Sequence, residues 1–214
     1  MTHLRARFSL PAYQFFVTGV MGFLQPFLPL YIFAAGLTPQ RYGYAAAIGT
    51  ATCLVIQPLL GKLSDRFDTR VPFMIAAALI AGLAYSAFRV APFGNFWVIT
   101  TLLALGTNGF VYLNTVAGVL VARVAAANSE AGGTAYVRTR VWGSVGYIVI
   151  ALSAGLLVHG GNLTAKPSRD TLDALFTYGP ALFLLIAGIA AIVPDLRNPS
   201  PRPGDPSQIG RAHV

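Results

Sequence analysis

The sequence predicts an all-α membrane protein of six transmembrane helices, and three observations predict it. Of its 214 residues, 55% are hydrophobic and only 10% charged, with a mean hydropathy of +0.64. That balance is more apolar and less charged than a soluble domain carries. Six stretches are each long enough to cross roughly 30 Å of hydrocarbon as a helix. Few ionisable residues fall inside them, and the connections hold the Gly, Pro, Asn and charged residues of turns in water.

The first span is expected at Leu10 to Phe33, after a short N-terminal tail of residues 1–9. Arg5 and Arg7 ahead of an apolar run resemble a signal peptide. The run is nevertheless too long for an h-region, contains Gln14, Gln25, Pro26 and Pro29, and lacks a small-residue cleavage pattern, so it is read as retained. The second span, Tyr42 to Leu60, contains Cys53, the single cysteine, which rules out an intrachain disulfide. Gln25 beside Pro26 and Gln57 beside Pro58 can bond backbone groups that the prolines leave without partners, or line a pocket. The third span is Val71 to Phe88 and the fourth Phe96 to Val121. Asn108, Tyr112 and Asn114 on the fourth are either hydrogen-bonding lining or interhelical glue. The fifth, Val137 to Val158, opens on "RTRVWGSVGY", and the sixth is Leu172 to Val193. Residues 194–207, "PDLRNPSPRPGDPS", read as the start of a polar, Pro-rich cytoplasmic linker. The closing "QIGRAHV", residues 208–214, resembles the translation of a DNA-sequencing adapter and is expected to be foreign to a protein that continues further.

Lys and Arg are enriched in cytoplasmic loops. With the N-terminus inside, that side holds Arg5, Arg7, Lys62, Arg66, Arg70, Arg123, Arg138 and Arg140, against Arg41, Arg89, Lys166 and Arg169 opposite. Both termini are expected in the cytoplasm, and the membrane is expected to be a bacterial plasma membrane. The net charge of +8 is then a topology signal, and no nucleic-acid partner is expected. An enzyme is not expected either. The "GSVG" around Ser144 suggests a membrane serine protease, but His159 lies fifteen residues along the same helix, roughly 20 Å or more away. No phosphate loop, metal-ligand cluster or paired intramembrane carboxylates occur, so no metal or cofactor is expected.

Two short stretches carry the remaining information. In "GKLSDRFDTR", Gly61 is expected to let the second and third helices approach closely, and Asp65 to accept from free backbone N–H groups or to pair with Arg66 or Arg70. Topology alone reads this as an ordinary basic inside loop. In "RTRVWGSVGY", Arg138 is near enough to the helix start to snorkel to the surface. Arg140 is about 3 Å further along the axis and can reach the surface or a pocket. Tyr147 lies seven residues on and Ser144 four residues on, so both share the face of Arg140.

Gly61, Leu63, Asp65, Arg66 and Arg70 resemble the signature loop after the second helix of the major facilitator superfamily, with Asp68 where that signature has a second glycine and Thr69 at a usually basic position. With "FLQPFLPLY", "IQPLLGKLSD" and "RTRVWGSVGY", the chain from about Phe8 to Val193 is similar to the branch that holds lactose permease and the nucleoside and phenylpropionate proton symporters. The resemblance implies the N-terminal six-helix half of a twelve-helix transporter, built as two inverted three-helix repeats that share no convincing sequence similarity here. It implies alternating access, a second half as partner, a gating role for Gly61, Asp65, Arg66 and Arg70, and substrate contacts from Arg140 and Tyr147, with Ser144 and Asn114 beside them. The branch pairs its arginine with a fourth-helix carboxylate, but "NTVAGVLVARV" has Val121 and Ala122 at that point. An unpaired Arg140 suits a solute that brings its own negative charge, such as a small carboxylate, or a carboxylate from the second half, and the solute is expected to be a small polar or anionic organic molecule. Proton coupling needs a titratable group in the membrane; none lies at mid-depth in these spans, so it is expected from the second half. The alternative is a six-helix membrane scaffold or assembly partner without transport.

Overall fold

The computed structural model describes residues 2–92, 95–127, 132–159 and 169–193, with side chains over 8–92, 95–125, 134–159 and 170–193. The expected linker at 194–207 and the foreign tail at 208–214 lie outside the described residues. Among those described there are helices and no strands: α1 (Thr2–Leu24), α2 (Leu28–Ala34), α3 (Pro39–Ala51), α4 (Cys53–Arg66), α5 (Val71–Ala87), α6 (Phe96–Ala127), α7 (Gly132–His159) and α8 (Arg169–Ile192). The first helix therefore begins well before Leu10, within the stretch expected to be a tail.

Five of the six expected spans are met, and two points of the expectation need correcting. Five segments are long and apolar enough to cross a membrane: Phe8–Ala34, Pro39–Arg66, Phe96–Ala125, Thr134–His159 and Asp170–Ile192. The third, α5, has 17 residues, about 25 Å of helix against roughly 30 Å of hydrocarbon. Turns at its end, from the Arg89 N–H to Ser86 O and the Val90 N–H to Ala87 O, prolong it. The second correction is that the first two spans are each two helices. Pro26 has no N–H to continue α1, and α2 restarts at Leu28. The second span is interrupted at Thr52, whose hydroxyl donates back to the Gly49 carbonyl at 2.6 Å, a bond that competes with the helical ladder.

Two helix ends share one geometry. After α2, Gly36 is left-handed (φ 99°), its N–H donates to Phe33 O and the Leu37 N–H to Ile32 O. After α4, Asp68 is left-handed (φ 48°), its N–H donates to Asp65 O and the Thr69 N–H to Ser64 O. These paired bonds satisfy carbonyls that a helix end otherwise leaves bare. At the second, Asp68 occupies the left-handed position that glycine fills most easily, and Asp is among the few other residues that tolerate it.

The packing order contains a symmetry that no residue comparison reveals. The first span packs chiefly on the fifth (α1 on α7), the second on the fourth (α3 and α4 on α6), and the third on the sixth (α5 on α8). The first also touches the sixth, and the third touches the fourth. Exchanging spans one, two and three with four, five and six leaves these principal pairings unchanged. At the back, α2, α5 and α8 meet in an aromatic cluster in which Tyr31 stacks on Phe176 (4.2 Å) and Tyr85 on Phe183 (5.6 Å). Outside the core, Leu54, Leu59, Leu83, Leu152 and Leu184 are exposed, as expected of surfaces that meet lipid.

Candidate functional site

The faces of α7 are sorted by side-chain size. Its buried stripe is Ala135, Thr139, Gly143, Gly146, Ile150, Ala154 and Val158, at spacings of three and four. Positions two apart on a helix point about 200° apart, so Arg138 and Arg140 leave on opposite flanks of that stripe. The Arg138 flank continues through Trp142, Val145, Val149, Leu152 and Leu156, all exposed and large. The Arg140 flank continues through Ser144, Tyr147, Ala151 and Gly155, partly polar, with exposed Val137 and Ile148 at its outer edge. Arg140, Ser144 and Tyr147 are exposed on one face, and among the described residues no hydrogen bond or ion pair engages Arg140.

Small residues bring α1 and α7 into backbone contact beside that face. A Cβ on Gly146 would overlap the Phe15 carbonyl, and one on Gly22 would lie 2.8 Å from the Tyr147 carbonyl and 3.2 Å from its ring. At Gly143 the missing side chain is replaced by α1: an added Cβ would stand 2.8 Å from Thr18 Oγ1 and 3.0 Å from Gln14 Cγ. The Gln14 amide, almost wholly buried, donates to Thr18 Oγ1 (3.0 Å) and to Asn114 Oδ1 (3.3 Å) on α6. Gly143 follows Arg140 by three residues and precedes Tyr147 by four, the two neighbouring positions on a helix surface. The structure thus brings Asn114 to Gln14 and Thr18, next to the Arg140–Ser144–Tyr147 face, without direct contact between Asn114 and Arg140. Gln14 and Thr18 were not picked out as site residues from sequence. The available signal was two polar residues at i and i+4 in an apolar span, one helical turn apart.

A second polar cluster joins the interrupted span to α6. Gln57 Nε2 donates to the Asn108 carbonyl (3.0 Å) and Oδ1 (3.4 Å), and Asn108 Nδ2 donates to Thr52 Oγ1 (2.6 Å) and Ala104 O (2.9 Å). Gln57 therefore holds another helix rather than the carbonyl freed by Pro58, and Asn108 is interhelical glue. Gln25 is exposed and makes no side-chain hydrogen bond among the described residues.

At the end of α4, Asp65 pairs with Arg70 at the start of α5 through a short contact, and Ser64 Oγ donates to Gly61 O at 3.0 Å. Arg66 is exposed. The close helix approach expected at Gly61 is absent: no described atom lies within 4 Å of where its Cβ would be. The tight glycine contacts fall elsewhere: between α1 and α7, at Gly109 of α6 against the Ala77 carbonyl of α5 (2.8 Å), and at Gly179 of α8 against Leu24 (2.5 Å).

Comparison with known proteins gives this arrangement its context. The chain is similar to the maltose permease of Geobacillus stearothermophilus, with 26% identity over 206 residues, 95% of this chain and 47% of that protein. It thus spans about half the length of the curated relative it matches. No solved structure matches. Residues 8–200 match the MFS_1 like family, nearly the whole described bundle. The chain belongs to that family, and with it to the major facilitator superfamily of transporters.

Proposed function

We propose that this chain supplies the N-terminal half of a secondary active transporter that moves a small polar or anionic organic solute across the bacterial plasma membrane by alternating access. The observation that carries the proposal is the division of α7 into a large apolar flank and a flank bearing Arg140, Ser144 and Tyr147, with Arg140 engaged by no described partner. An arginine inside a membrane helix costs about 2.5–3.5 kcal/mol on insertion scales, so its retention on the more polar flank supports a ligand role. Gln14, Thr18 and Asn114 then form the second wall, hydrogen-bonded to one another and held beside Gly143. Asp65, Arg66, Arg70 and Gly61 gate the cytoplasmic mouth against the second half, with both termini on that side. Proton coupling, in this reading, comes from titratable groups of that half.

The likeness to a maltose permease makes maltose the first solute to test, with small carboxylates the second, since Val121 and Ala122 leave α6 without an acidic partner for Arg140. Charge-assisted hydrogen bonds are worth about 1.5–3 kcal/mol, so Arg140→Ala in the complete transporter should weaken solute binding by about tenfold or more while its level in the membrane holds. Uptake kinetics identical to those of the parent would refute the site. Absence of any solute-dependent uptake or thermal shift in the parent protein would instead favour the six-helix scaffold.

A further inference from the structure

The other arginine of the pair lies over a different feature. Phe8, Pro11, Ala12, Phe15 and Phe16 of α1, with Arg138 and Trp142 of α7, line an open cleft of about 440 Å³. Phe8 is 70% and Trp142 49% exposed, so the cleft faces outward. It lies on the flank of α7 that runs on through Val145, Val149, Leu152 and Leu156, the flank whose size and polarity suit lipid. Its two ends differ in chemistry. Arg138 sits in the second turn of α7, close enough to the helix end for its guanidinium to reach the interface while its stem stays among apolar groups. Beside it are the aromatic rings of Phe8, Phe15, Phe16 and Trp142 and the small residues Pro11 and Ala12.

We propose that this cleft is a binding site for an anionic phospholipid, with the phosphate held by Arg138 and one acyl chain lying along Phe8, Phe15, Phe16 and Trp142. A guanidinium matches phosphate through paired N–H donors, and the aromatic floor matches a hydrocarbon chain. An amphipathic cleft, cationic at the interface and apolar beneath, has the same order of chemistry as the lipid beside it. A second protein half would have to bring both an anion and an apolar ridge to this outer flank. The site is separate from the solute face, because Arg138 and Arg140 leave α7 on opposite sides.

This chain has two tryptophans, so Trp97→Phe, with any tryptophan of the second half also replaced by Phe, leaves Trp142 as the sole reporter within the cleft. Purified in that background and titrated with lipids carrying brominated acyl chains, Trp142 should be quenched at an about fivefold lower mole fraction of phosphatidylglycerol than of phosphatidylcholine with the same chains. Arg138→Gln should erase the difference, Arg138→Lys should keep most of it, and Arg140→Gln should leave it intact. Ala12→Phe, which fills the cleft without touching the charge, should weaken quenching by phosphatidylglycerol and decides the matter if Arg138→Gln does not fold. Excess inorganic phosphate should not relieve the quenching. Equal quenching by the two lipids, relief by free phosphate, or no quenching by either would overturn the proposal, the last meaning that protein covers the cleft.

Discussion

At the scale of single residues, what is absent matters as much as what is present. Gly143, Gly146 and Gly22 leave room that α1 and α7 fill with each other's backbone and with the Gln14–Thr18 pair. Gly146→Ala should therefore cost about 1–3 kcal/mol, because the Phe15 carbonyl it meets belongs to a helix and cannot rotate away. Gly155 on the same helix has nothing within 4 Å of its Cβ position, so Gly155→Ala should leave stability unchanged or slightly raised. Thermal unfolding of the two variants in one detergent checks the contrast, and equal losses would refute the packing argument. Of the site, Arg140, Ser144 and Tyr147 were legible because they share one helix, where spacing alone fixes the face. Gln14 and Thr18 were not, because their importance depends on which helix lies opposite, and in an apolar chain a lipid-facing position and a buried one carry the same residues.

At the scale of elements, the spans were readable as long apolar runs, and their interruptions were not. The first span was read straight through Pro26 to Phe33, and the break at Thr52, whose hydroxyl donates to Gly49 O, is one that composition does not announce. The paired hydrogen bonds after α2 and α4 are a second such device. Gly36→Ala should destabilise by about 1–2 kcal/mol through backbone strain alone, since no described atom lies within 4 Å of the added Cβ. A smaller loss than for Gly146→Ala, seen as a shift in unfolding midpoint, is the expected order when both are measured together. The Asp65–Arg70 pair belongs here too. Asp65 is 59% exposed, so as an ion pair it adds at most about 1 kcal/mol, and a larger effect of its removal on transport than on stability would point to gating.

At the scale of the whole molecule, the proposed function makes one flank of α7 face lipid and the other the solute path. Replacing Cys53, and any cysteine of the second half, by Ser gives a cysteine-free background. Ser144→Cys in the complete transporter should then react with a water-soluble maleimide and be protected by the transported solute, whereas Val149→Cys should stay unlabelled. Equal labelling of both would mean that the division is not one of water against lipid. The interleaved packing of the bundle also has a consequence for how the chain is made. The first span's main partner is the fifth, and the Asn114 that Gln14 bonds lies a hundred residues downstream. Spans leave the ribosome in order, so α1 enters the membrane with its amide and hydroxyl exposed to hydrocarbon and its glycine face bare until more than half the chain has followed. Neither three-helix unit can close its own surface while it waits. The early product of translation is thus a loose set of helices that becomes a bundle only late, and during that interval the membrane insertion machinery must shelter Gln14.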